Sequence, residues 1–149
     1  MFGLVVWGLV LRRYFWPWLV RNDLQTSSEP VLYMHAFRYI GLSFIAPGVT
    51  GAGLNGDWAV SAAWGDVASA VLALLALALR NTLLFRPALW LFSVVGVSDL
   101  LHAFATGSRY EVPPHLSGAF FIPILVVPAL LWTHLYLVIL LLRRRSTAR

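Results

Sequence analysis

Six ionisable side chains fall inside long apolar stretches of this 149-residue chain: His35, Arg38, Asp66, Asp99, His102 and His134. An ionisable group within a membrane span costs at least a few kcal/mol, so each one needs a partner, an aqueous cavity or a function. His35 and Arg38 are three residues apart, as are Asp99 and His102, and on a helix that spacing puts both members of a pair on one face. A carboxylate beside an imidazole holds one ring tautomer, which suits a proton relay or the outer shell of a metal site. It is equally how a helical bundle satisfies a polar contact, so Asp99 and His102 carry both readings. Counting about 1.5 Å per residue, Arg38 lies roughly 10 Å from the arginine-rich side of the membrane, His134 roughly 12 Å, and Asp66 and Asp99 roughly 16 to 18 Å. A guanidinium on its long stem covers that difference, so Arg38 is expected to pair with Asp99 or Asp66 near the bilayer centre.

Other chemistry is narrowed by what the chain lacks. All eleven basic residues counted with Lys are Arg, and there is no Cys. A Schiff base to retinal or pyridoxal is thereby excluded, as are thiolate zinc sites, iron-sulfur clusters and covalently attached haem. His35 and His134 on facing helices are the minimum for bis-histidine haem b, the one haem reading available; otherwise no cofactor is expected. A non-haem metal set drawn from His102, Asp99, Asp66 and His115 has no spacing that fixes it. Residues 51 to 56 fit G-x-G-x-x-G, but they follow a membrane helix instead of a strand, which removes the reason for a dinucleotide site. No nucleophile elbow or carboxylate pair in an aqueous cleft appears, so no catalytic residue is assigned; an intramembrane enzyme acting on lipid stays open as the least favoured reading.

The elements that must position these residues follow from hydropathy. With 60% hydrophobic and 11% charged residues, and a mean hydropathy of +0.78, the composition is that of a membrane protein. A bilayer core needs about 20 apolar residues per helix, and five stretches qualify: 1–20, 31–50, 58–79, 88–105 and 116–142. The expected fold is therefore all-α, a single polytopic transmembrane bundle of five spans. The first stretch is the weakest because Arg12 and Arg13 interrupt it; lying flat at the interface it would leave four spans. Arginines alternate from loop to loop: Arg12, Arg13 and Arg21, then Arg80 and Arg86, then Arg143, Arg144, Arg145 and Arg149. By the positive-inside rule the C-terminus is cytoplasmic and loops 51–57 and 106–115 face outward. Topology and anionic headgroups account for the net charge of +5 without a nucleic acid partner.

Ser61, Gly65, Ser69 and Ala73 recur at intervals of four on the third span, a small-residue stripe for close helix packing within the chain or against a second copy. Pro123 and Pro128 are expected to bend the last span. The segments Met34-His-Ala-Phe-Arg-Tyr-Ile-Gly-Leu42, Ala63-Trp-Gly-Asp66 and Val97-Ser-Asp-Leu-Leu-His-Ala103 resemble stretches of small, uncharacterised multi-span bacterial inner-membrane proteins. The resemblance implies that location and no activity, cofactor or catalytic residue. On these grounds the chain is expected to bind or translocate a proton, ion or small polar ligand at a buried Arg/Asp/His centre. A structural or accessory subunit of a membrane complex, as a homo-oligomer or beside a partner, is the alternative, and a haem b or metal redox protein the third reading.

Overall fold

The computed structural model describes residues 2–146, with the side chains of 144–146 excepted. Met1, at the start of the first stretch, and Arg149, in the basic tail, lie outside the described residues, as do the side chains of Arg144 and Arg145.

Among the described residues five helical rods follow one another, with a short 3-10 turn at Pro113–His115 between the last two, and there is no strand. The first, α1 (residues 2–21), runs as α-helix over Phe2–Val10, widens into a π-helical turn over Leu11–Phe15 and resumes as α-helix over Trp16–Arg21. The second, α2 (residues 24–45), is α-helical over Leu24–Ala36 and continues as a 3-10 helix over Phe37–Ile45. Then come α3 (Gly56–Ala78) and α4 (Phe85–Arg109). The last, α5 (residues 117–146), starts as a 3-10 turn over Ser117–Phe120, widens into π-helix over Ile122–Val126 and is α-helical over Val127–Ser146. Three of these segments, Gly56–Ala78, Phe85–Arg109 and Ser117–Arg143, are long and apolar enough to cross a membrane.

Hydropathy misplaces α2. The helix begins at Leu24, seven residues ahead of the expected 31–50 stretch, and residues 46–50 are turn instead of helix. Its start is set by capping: the Asp23 carboxylate accepts a 2.7 Å bond from the Thr26 backbone N–H. The polar first turns then satisfy themselves, Ser27 Oγ donating to Leu19 O and Ser28 Oγ to Leu24 O, both at 2.7 Å. A scan for apolar residues cannot register such a helix start. Asn55 caps α3 in the same manner, accepting from Trp58 N at 2.9 Å.

Both π-helical turns end two residues before a proline, at Pro17 and at Pro128. A proline inside a helix has no N–H for the carbonyl four residues back and crowds it, and widening the preceding turn relieves the conflict. Two indoles tie these stretches together: Trp7 Nε1 donates to Leu125 O at 2.9 Å, and Trp132 Nε1 to Leu4 O at 2.8 Å. Gly3 lies on Ile124, Gly8 on the Trp132 ring, and Trp16 on Tyr136, so α1 and α5 advance in the same direction.

The arginines of the short connections meet at one end of the bundle. There Arg80 Nη1 bonds Glu29 at 3.0 Å, Arg86 Nη2 donates to Leu141 O at 3.2 Å, and Arg143 sits over the Trp16 ring at 5.1 Å. That half is filled by a packed apolar core that includes Leu32, Leu89, Phe92, Leu137 and Leu141, all essentially inaccessible. The opposite half, nearer the 46–55 and 110–116 connections, has a second core cluster around Phe44, Trp58, Val112 and Leu116, and beside it a cavity.

The third-span stripe loses one member, Ser61, from the helix contact. Ser61 is exposed, and the buried face of α3 runs through Ala59, Ala62, Ala63, Asp66, Ala70, Ala73 and Ala76, with Ser69 beside it. Ser69 Oγ is turned back onto Gly65 O at 2.9 Å. Small residues do line the contact: Gly65, Ser69 and Ala73 lie in it, and Ser61 alone of the four faces away.

Candidate functional site: a buried ionic centre

The 3-10 stretch of α2 carries the site's cation. In an α-helix every three-residue step falls about 60° short of a full turn, whereas three residues complete a 3-10 turn. Arg38, Gly41 and Phe44 consequently stack on one line, and these three are the buried residues of the stretch. Nine residues is long for a 3-10 helix, whose runs rarely exceed three or four. Here it holds a charged side chain, a steric gap and an aromatic plug facing α3.

Arg38 is 1% exposed and lies between two helices that each supply a carboxylate. Its Nε donates to Asp66 Oδ1 of α3 at 2.7 Å, its Nη2 to Asp99 Oδ2 of α4, and its Nη1 to the Gly96 carbonyl at 3.3 Å. The planar fork of a guanidinium suits this three-way contact, which a point-like ammonium would not span. The expectation of one partner for Arg38 thus becomes two. One positive and two negative formal charges leave the cluster with an anionic excess.

Glycines make room for it. A Cβ on Gly41 would collide with the Asp66 carboxyl, one on Gly65 with the Asp99 carboxyl, and one on Gly96 with the His134 ring. Gly65, first noted as part of a helix-packing stripe, is therefore the seat of Asp99. Backbone and acid approach this closely only because the residue has no side chain.

The two buried histidines lie on the arginine-end side of Arg38. His35 Nε2 meets Thr133 Oγ1 at 3.0 Å. The Thr133 hydroxyl is already directed at its own helix, at Ala129 O (2.9 Å) and Leu130 O (3.0 Å), so it accepts from His35 Nε2–H. His35 Nδ1, both nitrogens of His134 and the Ser93 hydroxyl are buried without a hydrogen-bond partner among the described residues. The rings of His35 and His134 are in contact, centroids 4.1 Å apart and tilted by 60°, and Phe92 packs on both. Two imidazoles bonded to one iron at about 2 Å each hold their centroids roughly 6 Å apart with the porphyrin between them. The pair as packed does not fit bis-histidine haem.

His102, expected beside Asp99, is exposed and forms no hydrogen bond with it among the described residues, although it lies near enough to interact electrostatically with the Asp99 carboxylate. His115 is half-buried, its ring against Gly53, and its carbonyl accepts from Gly51 N at 2.8 Å, so the glycine turn of residues 51 to 56 closes on it. No three His, Asp or Glu side chains converge closely enough for a metal among the described residues.

Sequence reasoning left out the cavity. It has a volume of about 520 Å³, is partly open, and includes Asp66 and Asp99 in a wall otherwise made of apolar and small residues such as Phe44, Trp58, Leu100 and Phe104. The Asp66 and Asp99 side chains are 12% and 14% exposed, against 1% for Arg38. The cavity therefore meets the acidic side of the centre, while Arg38 borders a second, smaller pocket of about 230 Å³ together with Met34, Phe37 and Leu130. Its walls come from every helix, and no linear motif encodes that.

The chain belongs to a family described as a domain of unknown function (DUF8737), whose model matches residues 1–142. No curated protein and no solved structure matches it.

Proposed function

From a family membership that assigns no activity, we propose that this protein is an integral membrane bundle binding a proton, a cation or another small polar ligand at the Arg38–Asp66–Asp99 centre. The observation that carries the reading is the asymmetry of that centre. Two carboxylates share one guanidinium, and the carboxylates, not the guanidinium, border the cavity. A group that only fixed helix register would need neither the charge imbalance nor the access.

The bundle crosses the membrane five times in this reading. In support, α1 runs alongside α5 instead of lying across the bundle end, and its 20 residues reach about 30 Å. Residues 24–45 reach about 38 Å, because each 3-10 residue advances about 2.0 Å. The arginine end is the cytoplasmic one by the positive-inside rule, in a bacterial cytoplasmic membrane as the resemblance implies. The cavity then lies in the outer half of the bundle. With the arginine-end half filled by packed apolar side chains, binding from outside is favoured over a continuous pathway for translocation.

One observation favours the alternative of a structural or accessory subunit: each Arg38 nitrogen has an acceptor, as in a centre built to hold three helices in register. The two readings separate in the infrared band of a protonated carboxyl, followed against pH in wild type, Asp66→Asn and Asp99→Asn, with native mass spectrometry of the gently extracted protein. The ligand-binding reading expects a carboxyl that titrates while the protein stays folded and disappears in one variant, or a bound cation lost in both. A silent carboxyl region and a bare protein would establish the accessory role.

A further inference from the structure

We propose that the cavity takes an organic cation, a protonated amine with an apolar body, its ammonium against Asp66 and Asp99 and its body along the aromatic wall. This rests on the ionic centre being a ligand site and names the class of ligand. At about 520 Å³ the cavity falls within the range of small-molecule sites, about 300 to 1,000 Å³. Among the described residues its wall holds no basic side chain, and its charged members are Asp66 and Asp99 alone. Asp66 is nine-tenths buried as a residue; no described residue hydrogen-bonds its Oδ2 or Asp99 Oδ1, and these two oxygens rest against Gly41 and Gly65.

Each other class of occupant leaves something uncompensated. An anion would face two carboxylates. An acyl chain would desolvate them without offering a charge or a donor. A bare inorganic ion would satisfy them but leave a large apolar chamber empty. An ammonium on an apolar body answers both requirements.

The dimensions come from α3. Trp58, Ala62 and Asp66 lie at intervals of four on one face and all border the cavity, so Trp58 stands about 12 Å along the axis from Asp66. Trp58 is held in place, its Nε1 donating to Ala103 O at 3.1 Å and its ring packing against Phe44 with centroids 5.2 Å apart. An amine separated from an aromatic ring by a short alkyl chain reaches both ends.

The test is a matched series on the full chain in lipid nanodiscs, with empty nanodiscs subtracted: 4-phenylbutylammonium, 4-phenylbutanol and 4-phenylbutanoate, followed by calorimetry. The ammonium is expected to bind at least 10-fold more tightly than the alcohol, with the carboxylate weakest. Ala62→Phe, which fills the space between the Trp58 and Asp66 levels, is expected to abolish ammonium binding. The wild-type series stands alone if that variant does not fold. Equal affinity for ammonium and alcohol, or a tightly held lipid that none of the three displaces, would overturn the amine assignment. Where the carboxyl infrared response survives such a result, only the ligand class is wrong; where both are absent, the site itself is.

Discussion

Removing Arg38 should cost more than removing either of its acids. Arg38→Met keeps most of the side-chain volume but leaves Asp66 and Asp99, on adjacent helices, without the cation between them. Breaking a buried ion pair from one side typically costs about 3 to 5 kcal/mol, and here two carboxylates are stranded at once. Asp99→Asn, by contrast, leaves a neutral Arg38–Asp66 pair with a 2.7 Å bond, so its cost is that of one charge-assisted hydrogen bond, about 1.5 to 3 kcal/mol. The double variant Arg38→Met/Asp99→Asn strands one carboxylate instead of two and should be less destabilised than the sum of the singles by at least about 1 kcal/mol. Arg38→Lys should fall between wild type and Arg38→Met, because an ammonium reaches one acid and not both. Equilibrium unfolding in mixed detergent micelles, read by far-ultraviolet circular dichroism, measures all four. Additivity within about 0.5 kcal/mol would refute the shared-cation arrangement.

Three further outcomes follow from the same geometry. Gly65→Ala should destabilise by about 1 to 3 kcal/mol by driving a methyl into the Asp99 carboxyl, whereas Ser61→Ala, on the exposed side of α3, should be neutral; similar values for both would remove the seat assigned to Gly65. His134→Phe removes two buried nitrogens that have no partner among the described residues and should leave stability unchanged or raised in the same unfolding assay, and a large loss would mean that those nitrogens are bound in the membrane. Glu111 sits at φ 50° just past the end of α4, where Val112 N bonds back to Gly107 O at 3.0 Å, so Glu111→Gly should stabilise by about 1 kcal/mol, and an unfolding midpoint that falls would count against a strained cap.

Much of the helical architecture was legible from composition and hydropathy, because a long apolar run permits little else. The stretches that became α3, α4 and α5 lie within a few residues of their expected limits, and the six ionisable residues stood out because charge is costly in such runs. The start of α2 was hidden in polar residues that cap and bond to their own backbone, a local device that an average over apolar residues cannot detect. His102 shows what spacing leaves open: it lies near the Asp99 carboxylate as a shared helix face implies, but it is exposed and forms no hydrogen bond with Asp99 among the described residues.

By itself the sequence determined the helical class, the arginine asymmetry and the list of charges that must be accommodated, since each depends only on residue type and order. Tertiary structure alone decided which acid meets Arg38, that both do, and that the carboxylates are left facing a cavity. Those outcomes depend on a 3-10 conformation that aligns Arg38 with Gly41 and Phe44, and on glycines opposite each charged group. Backbone conformation in that stretch is set by the surfaces packed against it, α3 above all, and no spacing within α2 specifies it.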